Sequence, residues 1–285
     1  MGVQKLERVG ETEWQFTWPR AFWNEYSAIE EAVELHAAGR GADAERIVRG
    51  VLDRVPEHLD AMWQLAGFLR DRGQVAEAEE VCRGAVELGR TAFPPRAFRL
   101  GRDRLEWAWL ENRPFLRCLA SWMQAREEAG TRGDALDCAR ELLALNPNDN
   151  QGIRCVAVTW LLQAGGEEEA AALARRYPED SLPETTYGRA LALFRLRRYD
   201  EADDVLREAI ADLPRVAAEV LKARHRAPRR RYPGMATVGG ADQAYDYWKS
   251  AGALWSATPG ALEWLQRVRT NVKAAKRDEP PVGDR

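Results

Sequence analysis

Side chains able to do chemistry are few in this 285-residue sequence: three histidines (His36, His58, His225) and four cysteines (Cys82, Cys118, Cys138, Cys155). Zinc sites need closely paired ligands. Here successive cysteines stand 36, 20 and 17 residues apart, which reads as buried structural thiols in a reduced compartment. No histidine has a carboxylate or thiol partner nearby in sequence, so structural or surface roles are expected for all of them. Metallopeptidase, P-loop and nucleophile-elbow motifs are absent. Gly39-Arg-Gly41 lacks the preceding strand and the third glycine of a phosphate loop. The expectation is a non-enzymatic chain with no cofactor and no metal.

Binding chemistry has more material. Lys222, Arg224, Arg226, Arg229, Arg230 and Arg231 place six positive charges in ten residues, a candidate site for phosphate, RNA or an acidic partner. Only Tyr232 adjoins them as an aromatic, which disfavours base-by-base reading of a single strand. A solvated loop paired to acidic faces is the competing reading. The chain as a whole is no polycation, with 42 basic against 45 acidic residues.

These side chains must be carried by a repeat. Segments 35–56, 69–90, 126–147, 161–178 and 194–214 align on a turn position occupied by Gly39, Gly73, Gly130, Gly165 and Arg197. Five residues on, each has alanine: Ala44, Ala78, Ala135, Ala170 and Ala202. A small side chain there lets two antiparallel helices approach closely. The acid just before it (Asp43, Glu77, Asp134, Glu169, Glu201) suits the positive end of the second helix. Pro56, Pro147 and Pro214 end that helix.

This pattern resembles the tetratricopeptide repeat, a helical hairpin of about 34 residues. The phrases at 93–117, 142–154, 187–202 and 237–265 together resemble a group of prokaryotic tetratricopeptide proteins, a likeness that brings no activity with it. It implies an all-α solenoid of about five hairpins with N- and C-terminal helical caps. Turn-to-turn spacings of 34, 57, 35 and 32 place one insertion near residues 90–112. The expected organisation is a cap at 1–23, the array at 24–214, a helical cap with the basic loop at 215–275, and a disordered tail at 276–285. Thr258 is the expected N-cap, and Pro259 the first residue, of the last helix.

The resemblance also assigns a groove to the first helix of each repeat. Its candidates are Tyr26, Trp63, Arg70, Arg117, Gln124, Thr159, Tyr187 and Phe194, with Asp60 beside Trp63. The Lys/Asn carboxylate clamp of chaperone-binding members is missing at these positions. A mixed aromatic groove would suit an extended peptide or a helix; packing of Trp63 and Tyr187 on neighbouring helices is the alternative. Arg113, Asn150 and Arg154 are a candidate polar patch with Arg117, or else part of an ordinary inter-repeat turn. Trp107 and Trp109 in LEWAWL are expected to pack the insertion across the array, covered on both sides if both face inward, or alternatively to form an exposed hot spot for a partner. No stretch approaches the ~20 apolar residues of a membrane span. The sum is a cytoplasmic protein-interaction module with an unidentified protein or peptide partner, or alternatively an RNA or anion binder acting through 222–231.

Overall fold

WQFTW at 14–18 alternates aromatic and polar side chains, the period of a strand and not of a helix. The N-terminal cap therefore departs from the expected helical form. In the computed structural model, which describes residues 4–230 and 234–278, it opens with a β-hairpin. Strand β1 (Lys5–Arg8) pairs antiparallel with β2 (Trp14–Thr17), placing Leu6 opposite Phe16. Leu6, Trp14, Phe16 and Trp18 point into the core. A short helix, α1 (Arg20–Asn24), follows.

The repeat then delivers five antiparallel hairpins, and the fold is an all-α, tetratricopeptide-like solenoid. They are α2 (Tyr26–Ala37) with α3 (Gly41–Arg54), α4 (Leu59–Asp71) with α5 (Val75–Arg90), and α6 (Arg113–Glu128) with α7 (Arg132–Leu145). The last two are α8 (Ile153–Gln163) with α9 (Glu167–Arg175), and α10 (Pro183–Arg195) with α11 (Tyr199–Asp212). Each turn needs one residue in the left-handed region. Gly39, Gly73, Gly130 and Gly165 take φ of 78°, 77°, 79° and 77°, and Arg197 takes 60° without a glycine's freedom. All five alanines of the pattern are buried at the hairpin interfaces.

The chain forms two compact units, Met1–Ile153 and Arg154–Arg285. In the first, the insertion after α5 is irregular and ends in a 3-10 turn at Leu110–Asn112. It is tied to the β-hairpin by one fully buried side chain. Asn112 accepts from the Phe16 amide through Oδ1 (3.0 Å), and its Nδ2 donates to Trp14 O (3.0 Å) and Glu106 O (3.2 Å). Trp18 Nε1 donates to Glu111 O at 2.9 Å, and Arg104 exchanges backbone hydrogen bonds with Thr12 and Trp14.

In the second unit, α11 is followed by α12 (Pro214–Val220), α13 (Ala241–Ala257) and α14 (Ala261–Asp278). Ala244, Tyr247, Ala251 and Trp255 form the buried stripe of α13, and Trp255 Nε1 donates to Tyr247 Oη at 2.8 Å. Thr258 closes α13 in place of opening α14. Its Oγ1 donates to Leu254 O (2.7 Å) and accepts from Arg195 Nε (2.8 Å), while Pro259 and Gly260 make the turn. A hydroxyl satisfied backwards in this way cannot cap forwards. Residues 276–278 of the expected tail complete α14; 279–285, like Arg231 in the basic block, lie outside the described residues.

Candidate functional site

The N-terminal unit builds its groove on a histidine cap. His58 is buried at the N-terminus of α4, where Nδ1 accepts from the Ala61 amide (3.3 Å) and Nε2 lies 3.1 Å from Phe22 O. Those partners assign the neutral ring with its proton on Nε2. Burial lowers the imidazole's proton affinity below its ordinary value. The cap fixes the first turn of α4, which points Asp60 inward.

Asp60 is 3% exposed and fully engaged. Its Oδ2 accepts from Tyr26 Oη at 2.7 Å, and Arg117 Nη1 donates to Oδ1 at 3.1 Å. Burial, and then the Asp60 charge, push the Tyr26 phenol well above its usual range. The Arg117 guanidinium lies 4.9 Å from the Trp63 ring and 5.8 Å from that of Trp107. Arg113 continues the ladder, 5.1 Å from Trp107 and donating Nε to its carbonyl at 3.0 Å. Arginine between indole faces is a favourable cation–π arrangement, and the carboxylate neutralises it. Trp107 of the insertion thus packs, whereas Trp109 is exposed.

Beside this ladder lies a groove of about 550 Å³. Ile29 and Val33 give it an apolar floor, and Glu30, Glu34 and Gln64 a polar rim. Farther along the same helices, Arg70 donates to Gln124 Oε1 (3.1 Å) and to Ser121 O (3.3 Å). Tyr26, Trp63 and Arg117 are therefore brought together, and so are Arg70 and Gln124. The three cysteines of α5, α6 and α7 are buried free thiols, with Cys82 and Cys138 pushed up to about 11 by burial.

The other groove candidates belong to the second unit and differ. Tyr187 is 0% exposed, donates its hydroxyl to Leu213 O at 2.8 Å, and packs against Tyr247 and Trp255 of α13. The cap helix occupies the space a ligand would need, so Tyr187 is core. Thr159 is also buried and spends its hydroxyl on Cys155 O at 3.2 Å. Phe194 is half-buried and stacks on Trp264 of α14.

The polar-patch residues have separate engagements. Asn150 is exposed, and its neighbour Asp149 caps α8 through Oδ1 to the Ile153 amide (2.8 Å). Arg154 belongs to the second unit, where Nε donates to Asp180 at 2.6 Å and the guanidinium lies 4.9 Å from the Tyr177 ring. The basic block is partly neutralised. Lys222 and His225 both bond the buried carboxylate of Glu219, His225 Nδ1 at 3.0 Å, and Arg230 pairs with Asp246 at 2.6 Å. Arg224, Arg226 and Arg229 are exposed. His36 likewise has a carboxylate, Asp71 at 2.8 Å, one repeat later in the chain. His225–Glu219, six residues apart, corrects the expectation that no histidine has such a partner nearby in sequence. His36–Asp71 and the Asn112 staple join residues far apart in sequence, where no local motif announces them.

The hairpins and their groove define a tetratricopeptide-like helical-repeat protein; no cluster of potential metal ligands occurs among the described residues. The chain belongs to the family described as transcriptional repressor TCF25, whose model matches residues 24–276. A probable transcription factor, claV, from Ampulloclitocybe clavipes is 30% identical over 193 residues, covering 58% of this chain and 24% of that protein. The chain thus spans about a quarter of that relative's length. Among solved structures, a tetratricopeptide repeat protein from Parabacteroides merdae is similar at a TM-score of 0.51 and 15% identity, over 91% of this chain and 88% of that one. MamA is similar at a TM-score of 0.50 and 15% identity, over 68% and 93%. These two likenesses concern the fold. The repeat class read from the sequence stands, while the TCF25 family is a more specific membership that the quoted phrases did not reveal. No helix among the described residues is long and apolar enough to cross a membrane.

Proposed function

We propose that this chain is a non-catalytic interaction module of a transcriptional regulator, which holds an amphipathic basic segment of a partner protein in the groove beside Tyr26, Asp60 and Arg117. One observation carries the reading. The groove joins an apolar floor, Ile29 and Val33, to two carboxylates, Glu30 and Glu34, that have no ion-pair partner among the described residues. Its walls are rigid because Asp60, Arg117 and Trp63 neutralise and stack on one another, so a ligand meets a preformed surface. An apolar anchor on Val33 with lysine or arginine on either side satisfies both parts. Membership of a repressor family supports a regulatory role, and action where transcription occurs is part of this proposal.

The test is co-purification from the native host with wild-type chain and with Val33→Asp/Glu30→Lys/Glu34→Lys, all at exposed positions. The variant is expected to fold normally and to lose partners that wild type retains. An unchanged partner set in the folded variant overturns the reading. A second reading, anion or RNA binding by the loop, is favoured by the exposure of Arg224, Arg226 and Arg229. It predicts an affinity for RNA that falls steeply with salt and is abolished by reversing those three charges.

A further inference from the structure

The second unit carries a groove of about 670 Å³ between α11 and α14, with the end of α10 as its base. Its floor is aromatic. Phe194 stacks on Trp264 with centroids 4.4 Å apart, and Tyr199 meets Phe194 edge-on at 5.4 Å. Tyr199 is 54% exposed, at the first position of α11. The rim is acidic, formed by Asp200, Asp203 and Glu263. Asp203 is held by Trp264 Nε1 at 2.5 Å and by Arg267 at 3.4 Å. Asp200 and Glu263 have no ion-pair partner among the described residues. Three carboxylates against one guanidinium leave this groove with a local charge of −2.

The N-terminal unit shows what such a set of groups takes. There, indole faces and a carboxylate surround a guanidinium that the chain itself supplies, Arg117 on Trp63 and Asp60. In the second unit the aromatic faces and the carboxylates are present, and two of the acids lack a cation. A guanidinium suits this arrangement better than an ammonium. It is planar and weakly hydrated, stacks on rings, and can bond a carboxylate in a fork.

We propose that the groove of Phe194, Tyr199, Trp264, Asp200 and Glu263 is a binding site for an arginine side chain presented by a basic segment of a partner protein. The guanidinium lies against the exposed Tyr199 ring and pairs with Asp200 or Glu263. This site stands independently of the groove at Tyr26, since it uses different residues in the other unit.

The test is calorimetric titration of the 285-residue chain with an acetylated seven-residue peptide of alternating glycine and arginine. The same peptide with citrulline, and with lysine, serves for comparison, and the indole N–H resonance of Trp264 is followed by NMR. Saturable binding of the arginine peptide with a shift of that resonance is expected. The citrulline peptide, which keeps the shape and loses the charge, should bind at least about tenfold more weakly, and the lysine peptide should fall between them. Asp200→Asn/Glu263→Gln should weaken the arginine peptide about tenfold, and Tyr199→Leu by several-fold, whereas Glu30→Gln/Glu34→Gln should change nothing. All of these side chains are exposed, so the variants should keep the wild-type melting temperature; if Tyr199→Leu does not fold, the acidic double variant decides. Absence of saturable binding, equal binding of the citrulline peptide, or an unmoved Trp264 resonance overturns the proposal. So does lysine binding as tightly as arginine with no effect of Tyr199→Leu, which would reduce the site to unspecific charge attraction.

Discussion

His58 is the residue on which the N-terminal groove depends. Its neutral ring accepts from Ala61 and donates to Phe22, and burial lowers its proton affinity. The unfolded chain takes up a proton near the ordinary histidine value of about 6.5, while the folded chain resists until lower pH. Stability from this group is therefore present above that pH and lost as pH falls through it, by up to ~1.4 kcal/mol per unit. Wild type compared with His58→Asn in denaturant melts at pH 7.5 and 5.5 should show the wild type losing more on acidification; parallel losses would contradict this assignment. Histidine is not among the usual capping residues, so the sequence indicates a structural or surface role for His58 without specifying the cap. Asp60 was visible there as a groove position. What could not be seen was its saturation by Tyr26 and Arg117, which stand 34 and 57 residues away.

At the scale of elements, the repeat was legible because its determinants are local. A turn residue, an alanine five positions later and an acid before it all act within one hairpin, so spacing alone locates ten helices. Arg197 shows the physical demand behind the pattern, for it adopts the same left-handed turn as the four glycines. A non-glycine residue there carries a strain of ~1 kcal/mol or more, partly offset by the glycine's greater freedom when unfolded. Arg197→Gly is expected to raise the unfolding free energy by about 0.5–1 kcal/mol in chemical denaturation. Ala78→Leu, by contrast, forces branched carbons into the buried interface of α4 and α5 and should cost ~1–3 kcal/mol. Elements set by a short alternation or by tertiary partners were less legible. Four-residue strands are too brief to stand out beside long helices, and Thr258 looks like an N-cap until Arg195, 63 residues earlier, takes its hydroxyl.

At the scale of the molecule, tryptophan rather than alanine marks what lies outside the repeats. Trp14, Trp18 and Trp107 fasten the β-hairpin and the insertion in the first unit, and Trp255 and Trp264 close α10 and α11 in the second. Fold class and repeat register were thus readable. The division into two units and the filling of the second unit's face by α13 were not, since both depend on contacts between distant segments. Asn112 is the sharpest case, a single amide whose partners at Phe16 and Trp14 lie 96 and 98 residues away. Asn112→Ala leaves a buried amide and carbonyl unsatisfied and should cost about 3 kcal/mol. The order of assembly follows from the same amide. Helical hairpins close short loops and form quickly, whereas a contact spanning nearly a hundred residues waits until the intervening chain is compact. Asn112 is then a late-forming latch, and losing it should accelerate unfolding in stopped-flow traces while leaving the refolding rate almost untouched.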